Sequence, residues 1–127
     1  MKAFREAVER GAFDELGDLL ADDVVFTSPV AFTPYPGKPV TAAILRAVGR
    51  VFTDFRYTGE IVDGRRSALI FECKVGDVVV NGCDFITTDD AGLISEFTVM
   101  VRPLKGANAL AAAMAEQFPR IQEEASA

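Results

Sequence analysis

Histidine is absent from the 127 residues, which narrows the available chemistry. Neither a Ser–His nor a Cys–His nucleophile pair can be built, nor a histidine metal site. Acid–base work falls to Asp, Glu, Tyr, Lys or Cys. The only cysteines, Cys73 and Cys83, have a spacing that fits no zinc motif. No metal or cofactor is therefore expected. Among the carboxylates Asp84 stands apart, because the turns on either side of its strand place it on an apolar face.

Gly76-Asp77 has Gly first, which suits a two-residue type II′ hairpin. Val75 then pairs with Val78. Leu69 meets Asp84, Phe71 meets Gly82 and Cys73 meets Val80, so these residues share one face with Ile86. A four-residue loop at Asp89–Gly92 sets Asp84 opposite Phe97, with Val99 and Val101 on the same side. A three-residue loop would break that parity. Four is preferred because Phe97, Val99 and Val101 alternate with Glu96, Thr98 and Arg102. The other face carries Ile70, Glu72, Val79, Cys83 and Phe85. Ile94, Glu96, Met100 and Arg102 continue it. That face is too apolar for a fully wet surface, and a two-fold homodimer packing sheet on sheet is expected. Cys73 and Cys83 lie on opposite faces and should not bond to each other.

A carboxyl on an apolar face ionises reluctantly, with a pKa raised by up to ~3–5 units when fully buried. A neutral acid can donate a hydrogen bond to a ligand oxygen or supply a proton. Asp84 is thus the one catalytic candidate. The competing reading is an Asp satisfied by Tyr35, Tyr57, Ser28 or a buried water. Ser28, before Pro29, either bonds a ligand or satisfies its local backbone. Phe26, Phe52, Phe55, Phe71 and Phe97 either line a pocket or fill a solid core. Tyr57 depends on the turn at Asp63-Gly64. A tight turn puts it on the outer face, and a looser one puts it beside Phe71. Tyr35 sits in the stiff loop Thr33–Pro39, which is either part of a pocket mouth or a rigid connector. Cys73 is expected as a buried, inert thiol. Arg102 is expected to pair with surface carboxylates such as Glu96. Arg65-Arg66 is expected as a solvated pair.

The elements that must position these residues are legible in the periodicity. Phe4, Ala7 and Val8 repeat with helical spacing, and Gly11 suits the helix end. Phe13, Leu16, Leu19 and Leu20 mark a second short helix. Val24 to Ser28 is β-branched and aromatic, a strand ended by Pro29. Ile44, Ala47, Val48 and Val51 line a third helix, with Thr41 as its N-cap. The period then changes to two, and strands are expected at about 53–62, 67–75, 78–88 and 93–102. Asn108 is expected to cap a last helix carrying Leu110, Met114 and Phe118 before Pro119. A polar, frayed tail is expected from Gln122.

The whole is expected to be one α+β domain, residues 1–127, with a curved antiparallel sheet and helices packed on it. Half the residues are apolar, which suffices for a core without disulfides. The formal charge of −6 argues against nucleic acid as a partner. The N-terminal residues lack an apolar signal stretch, and no run approaches the ~20 apolar residues of a membrane span. A cytoplasmic location without membrane contact is the expectation.

The order of elements resembles the nuclear transport factor 2-like superfamily, in the branch that includes SnoaL-like polyketide cyclases and ketosteroid isomerases. The segments that carry the likeness are Leu20-Ala21-Asp22-Asp23-Val24-Val25-Phe26, Ser28-Pro29 and Gly82-Cys83-Asp84-Phe85. Asp90-Ala91-Gly92-Leu93-Ile94 and Val101-Arg102-Pro103-Leu104 complete it. The resemblance implies a cone-shaped sheet closed by the first helices, and frequent homodimers. It also implies a pocket, which would be lined by Phe4, Phe26, Ser28, Tyr35, Phe55 and Tyr57 together with Phe71, Asp84, Phe97, Val99 and Val101.

Three functional positions of the ketosteroid isomerases can be compared. Their base is an Asp before the Pro that follows the first strand, where this chain has Ser28. Their first-helix Tyr corresponds to Phe4, which has no hydroxyl. Their second oxyanion-hole acid corresponds to Asp84. The Asp–Arg–Asp arrangement of this fold's epoxide hydrolases finds one Asp in Asp84, but no second inward Asp beside an Arg. Three readings follow. The first is a binding domain for a small, mostly apolar molecule with one oxygen reaching Asp84. The second is a cofactor-free cyclase, isomerase or hydrolase using Asp84 as its acid/base. The third is a dimerising module with a filled core.

Overall fold

The computed structural model describes residues 1–127. Helix α1 (Lys2–Glu9) buries Phe4, Ala7 and Val8 along one stripe. It ends where Gly11 takes a positive φ of 72°. The Gly11 N–H bonds the Val8 carbonyl and the Ala12 N–H bonds the Ala7 carbonyl, the paired bonds of a Schellman cap. A 3₁₀ helix (Phe13–Leu19) follows and buries Leu16. Leu20 opens strand β1 (Leu20–Thr27) instead of closing that helix, so the strand is longer than expected.

Inside the Thr33–Pro39 loop lies a two-residue strand, β2 (Tyr35–Pro36), which the sequence reading missed. It pairs antiparallel with β1. Helix α2 (Lys38–Val51) begins earlier than expected. Gly37 is its N-cap, and Pro39 fits the first turn because no acceptor is needed for its missing N–H. Thr41 is a fully buried helical residue and not the cap. The long strands are β3 (Thr53–Asp63), β4 (Arg66–Val75), β5 (Val78–Thr88) and β6 (Ile94–Arg102). Helix α3 (Leu104–Ser126) starts before Asn108, continues through Pro119 and keeps the expected tail helical. Packing overrides local preference here. Ile121 is fully buried. Glu124 accepts from Arg46 at 2.8 Å and lies 3.5 Å from Arg50, which ties the end of α3 to α2.

The sheet is open and runs β2-β1-β6-β5-β4-β3. Its β3–β6 part is the expected antiparallel meander, but β1 lies parallel to β6. The parallel pair is reached because the whole of α2 and three strands intervene as a crossover. Between β4 and β5 the register is the expected one, with Leu69 opposite Asp84 and Phe71 opposite Gly82. Between β5 and β6 it differs. Asp84 faces Val99, and Phe97 faces Ile86. The strands part beyond Thr88 and Ile94, and Ser95 is an extra residue on β6. The wider loop is held by the Asp89 carboxylate, which accepts from the Ala91 and Leu93 N–H groups. Loop and bulge together preserve parity, so Phe97 and Val99 stay on the side of Asp84. Ile94 is turned inward by the same bulge and is fully buried, not on the outer face.

A second bulge decides Tyr57. The Gly64-Arg65 turn is tight, with Asp63 paired to Arg66. Gly59 then pairs with Ile70, but Tyr57 pairs with Phe71, which leaves Thr58 as the extra residue. A tight turn alone would send Tyr57 outward, and the bulge returns it to the inner face. Such bulges also bend a sheet. The helices cover the inner face, where the core forms two adjoining clusters. One centres on Phe4, Leu69, Ile86 and Phe97, and the other on Phe71, Cys73, Val80 and Leu110.

One outer-surface expectation changes: Arg102 donates to Asn81 Oδ1 at 3.1 Å and not to Glu96. Arg65 and Arg66 are exposed, as expected, and Arg65 is also ion-paired with Asp90.

Candidate functional site

Asp84 stands mid-strand on β5, between Leu69 of β4 and Val99 of β6. Only 7% of its surface is exposed. The hydroxyl of Tyr57 donates to its Oδ2 at 3.4 Å and is its one hydrogen-bonding partner within the protein. Burial pushes the Asp84 carboxyl up to about 7, and the Tyr57 hydrogen bond holds it from rising further. The Tyr57 phenol is itself pushed up, first by burial and then by the Asp84 charge, so it stays a donor. Near neutral pH the pair therefore holds one exchangeable proton on Asp84 and a second, fixed one on Tyr57. Such a group can give or take a proton at little cost.

Aromatic rings fix the pair from both sides. Phe55 meets the Tyr57 ring edge-on at 5.0 Å and stacks on Phe71 at 4.9 Å. The Arg5 guanidinium of α1 lies over the Tyr57 ring, 5.5 Å from its centroid. Glu60 holds that guanidinium at 2.9 Å. Phe71 can lie across β5 because its partner there is glycine. A Cβ on Gly82 would fall 2.3 Å from Phe71 Cζ. On the other side Phe97 packs against Phe4 at 5.1 Å and Phe26 at 5.6 Å.

Between these groups lies a chamber of about 60 Å³. Asp84, Tyr57 and Ser28 supply its polar side-chain groups, and the rest of its wall is apolar. Phe4, Phe26, Phe55, Phe71, Phe97 and Val99 all line it. Ser28 lines it too, yet its Oγ accepts from the Val30 N–H at 3.1 Å, the local-backbone reading. Tyr35 lies outside the chamber. It packs on Phe26 and Phe118 and lines a second hollow of about 200 Å³. Val101 lines neither and packs in the cluster around Phe71 and Val80. Several lining residues were missed by sequence reasoning, among them Val8, Phe13, Leu45, Val48, Leu110 and Met114. Their helical periodicity marked an apolar stripe, but nothing in it separates a pocket wall from core.

Cys73 is buried and free, and burial with the nearby Asp84 charge pushes its thiol up to about 12. That thiol is no nucleophile at neutral pH. No group of three or more Cys, Asp and Glu side chains converges in a way that would hold a metal ion. No helix is long and apolar enough to cross a membrane.

Comparison with known proteins agrees with this architecture. The SnoaL-like domain family model matches residues 1–97. A steroid delta-isomerase from Pseudomonas aeruginosa is 38% identical, with 96% of this chain and 90% of that one covered at a TM-score of 0.90. An uncharacterized protein conserved in bacteria, with a cystatin-like fold, from Silicibacter pomeroyi DSS-3 is 37% identical. There 95% and 90% are covered at a TM-score of 0.85. An LEH-like epoxide hydrolase from M. tuberculosis shares the fold at 21% identity and a TM-score of 0.62, with 94% and 92% covered. A search of curated proteins found no match. The match over residues 1–97, with two bacterial proteins more than a third identical over nearly the whole chain, places this protein in the SnoaL-like domain family of the NTF2-like superfamily.

Proposed function

We propose that this chain binds a small, mostly apolar molecule whose single oxygen reaches Asp84. The observation that carries this reading is a buried carboxyl with one protein partner, facing an apolar chamber. A carboxyl serving only the fold would be expected to have more of its hydrogen bonds met by the protein. A protonated Asp84, held by the Tyr57 hydroxyl, offers one donor to a carbonyl oxygen. Asp84→Leu removes that donor and keeps the branching of the side chain. Ketone affinity, read by calorimetry, should fall about two- to tenfold, since a hydrogen bond between neutral groups is worth about 0.5–1.5 kcal/mol. Unchanged affinity would sink the reading.

A second reading is a cofactor-free acid/base enzyme of the cyclase or isomerase type, with Asp84 carrying the proton. Its support is the Asp84 value of about 7 and the 38% identity to a protein named as a steroid delta-isomerase. Against it stand Ser28 and Phe4, where the resemblance puts that class's base and phenol. Asp84→Asn separates the two readings. An enzyme keeps ligand affinity and loses turnover, read as deuterium exchange beside a ketone carbonyl. A binding domain shows no exchange in either form.

A homodimer through the outer sheet face accompanies both readings. Ile70, Val79, Phe85 and Met100 form an exposed apolar row on that face. A second copy would bury it against its own equivalent. The charge of −6 gives a phosphate backbone no purchase, so nucleic acid is not among the proposed partners.

A further inference from the structure

We infer that the bound molecule is chain-like, with a narrow oxygen-bearing head in the chamber and an apolar tail in the hollow beside it. This rests on the binding role proposed for Asp84 and names the shape of what binds there. The chamber, at about 60 Å³, is smaller than the ~150 Å³ cavity that accepts a benzene ring. A flat ring system at Asp84 would have to push back the chamber wall, which includes the Phe55–Phe71 stack with centroids 4.9 Å apart. Interiors packed to that density resist such displacement. A carbonyl with one or two flanking carbons needs no displacement.

The second hollow, of about 200 Å³, adjoins the chamber. Phe26, Ser28, Val30, Ile44 and Met114 line both. Met114 lies in the shared wall, and its unbranched thioether side chain adapts readily to a passing chain. Beyond it, Ala111 and Ala115 of α3 are small, and they leave a trough against Tyr35 and Phe118. No charged side chain lines that trough. Ser28, its one aliphatic hydroxyl, is already engaged by the Val30 N–H. A tail there meets carbon along nearly all its length. The space therefore grows with distance from Asp84, the reverse of what a broad-headed ligand needs.

The test uses 2-alkanones of increasing length and a bicyclic ketone of ten carbons, titrated into the intact protein by calorimetry. Affinity should rise about fourfold for each added methylene until the trough is filled. 2-Decanone should bind more tightly than the bicyclic ketone. In Ala115→Trp, an exposed helical position, the rise with tail length should disappear, and Ala111→Leu should shorten it. Melting curves confirm that both variants fold. Tighter binding of the bicyclic ketone, lost in Asp84→Leu, would overturn the chain-like ligand and leave the binding role standing. A tail-length rise that persists in Ala115→Trp also overturns it. If no ketone of either kind binds, the binding role falls and this inference with it.

Discussion

Replacing Asp84 by Asn should flatten the pH dependence of folding stability. Asn keeps the size of the side chain and an acceptor for the Tyr57 hydroxyl, but it cannot ionise. In the folded protein the Asp84 carboxyl sits at about 7, pushed up by burial from an ordinary value of 3.8. The folded state therefore holds this proton more tightly than the unfolded chain. The associated stability is fully present below about pH 4 and is lost as pH rises toward 7. Three pH units at about 1.4 kcal/mol each amount to about 4 kcal/mol. The wild-type protein should lose that much relative to Asp84→Asn between pH 4 and 8, with little change above. Urea denaturation of both proteins at each pH reads the difference, and other titrating groups cancel between them. Parallel stability curves would refute the reasoning, because they would mean that Asp84 ionises as freely in the fold as in the open chain.

Tyr57→Phe removes the donor that holds the Asp84 carboxyl down. Its pKa should rise further, and stability should drop by about 1 kcal/mol in urea melts. Gly82→Ala would drive a methyl into the Phe71 ring and should cost about 1–3 kcal/mol in the same assay, with the Phe55–Phe71 stack displaced. Phe85→Asp on the outer face should leave the fold intact and convert a dimer to monomer in sedimentation at micromolar concentration. A wild-type protein that already sediments as a monomer would remove the dimer proposal.

What could be read from the residues alone was set by short-range geometry. The Gly76-Asp77 turn leaves one good hairpin register, so every β4–β5 pair including Leu69–Asp84 followed from it. The β5–β6 partners slipped by two, one from the wider loop after Thr88 and one from a bulge at Ser95 that carries no local mark in the sequence. Parity survived the slip, and so Phe97 and Val99 stayed beside Asp84. Tyr57 was undecided for the same reason: Thr58 looks like any strand residue until its pairing is seen. The end of α3 was lost to a long-range effect, since Glu124 is held by arginines on α2 that no local pattern connects to it. The helical half of the chamber wall also lay beyond the sequence, because Val48 or Met114 as core and as pocket lining have the same periodicity.

Asp84 is proposed here as a buried, proton-holding carboxyl that meets the oxygen of a bound molecule. Carbon-13 NMR titration of its side-chain carboxyl, with and without 2-decanone, tests this most directly. The free protein should titrate at about 7, and the ketone should move that midpoint upward, because it binds the protonated acid. A midpoint near an ordinary carboxylate's ~4, unmoved by ketone, would contradict the account.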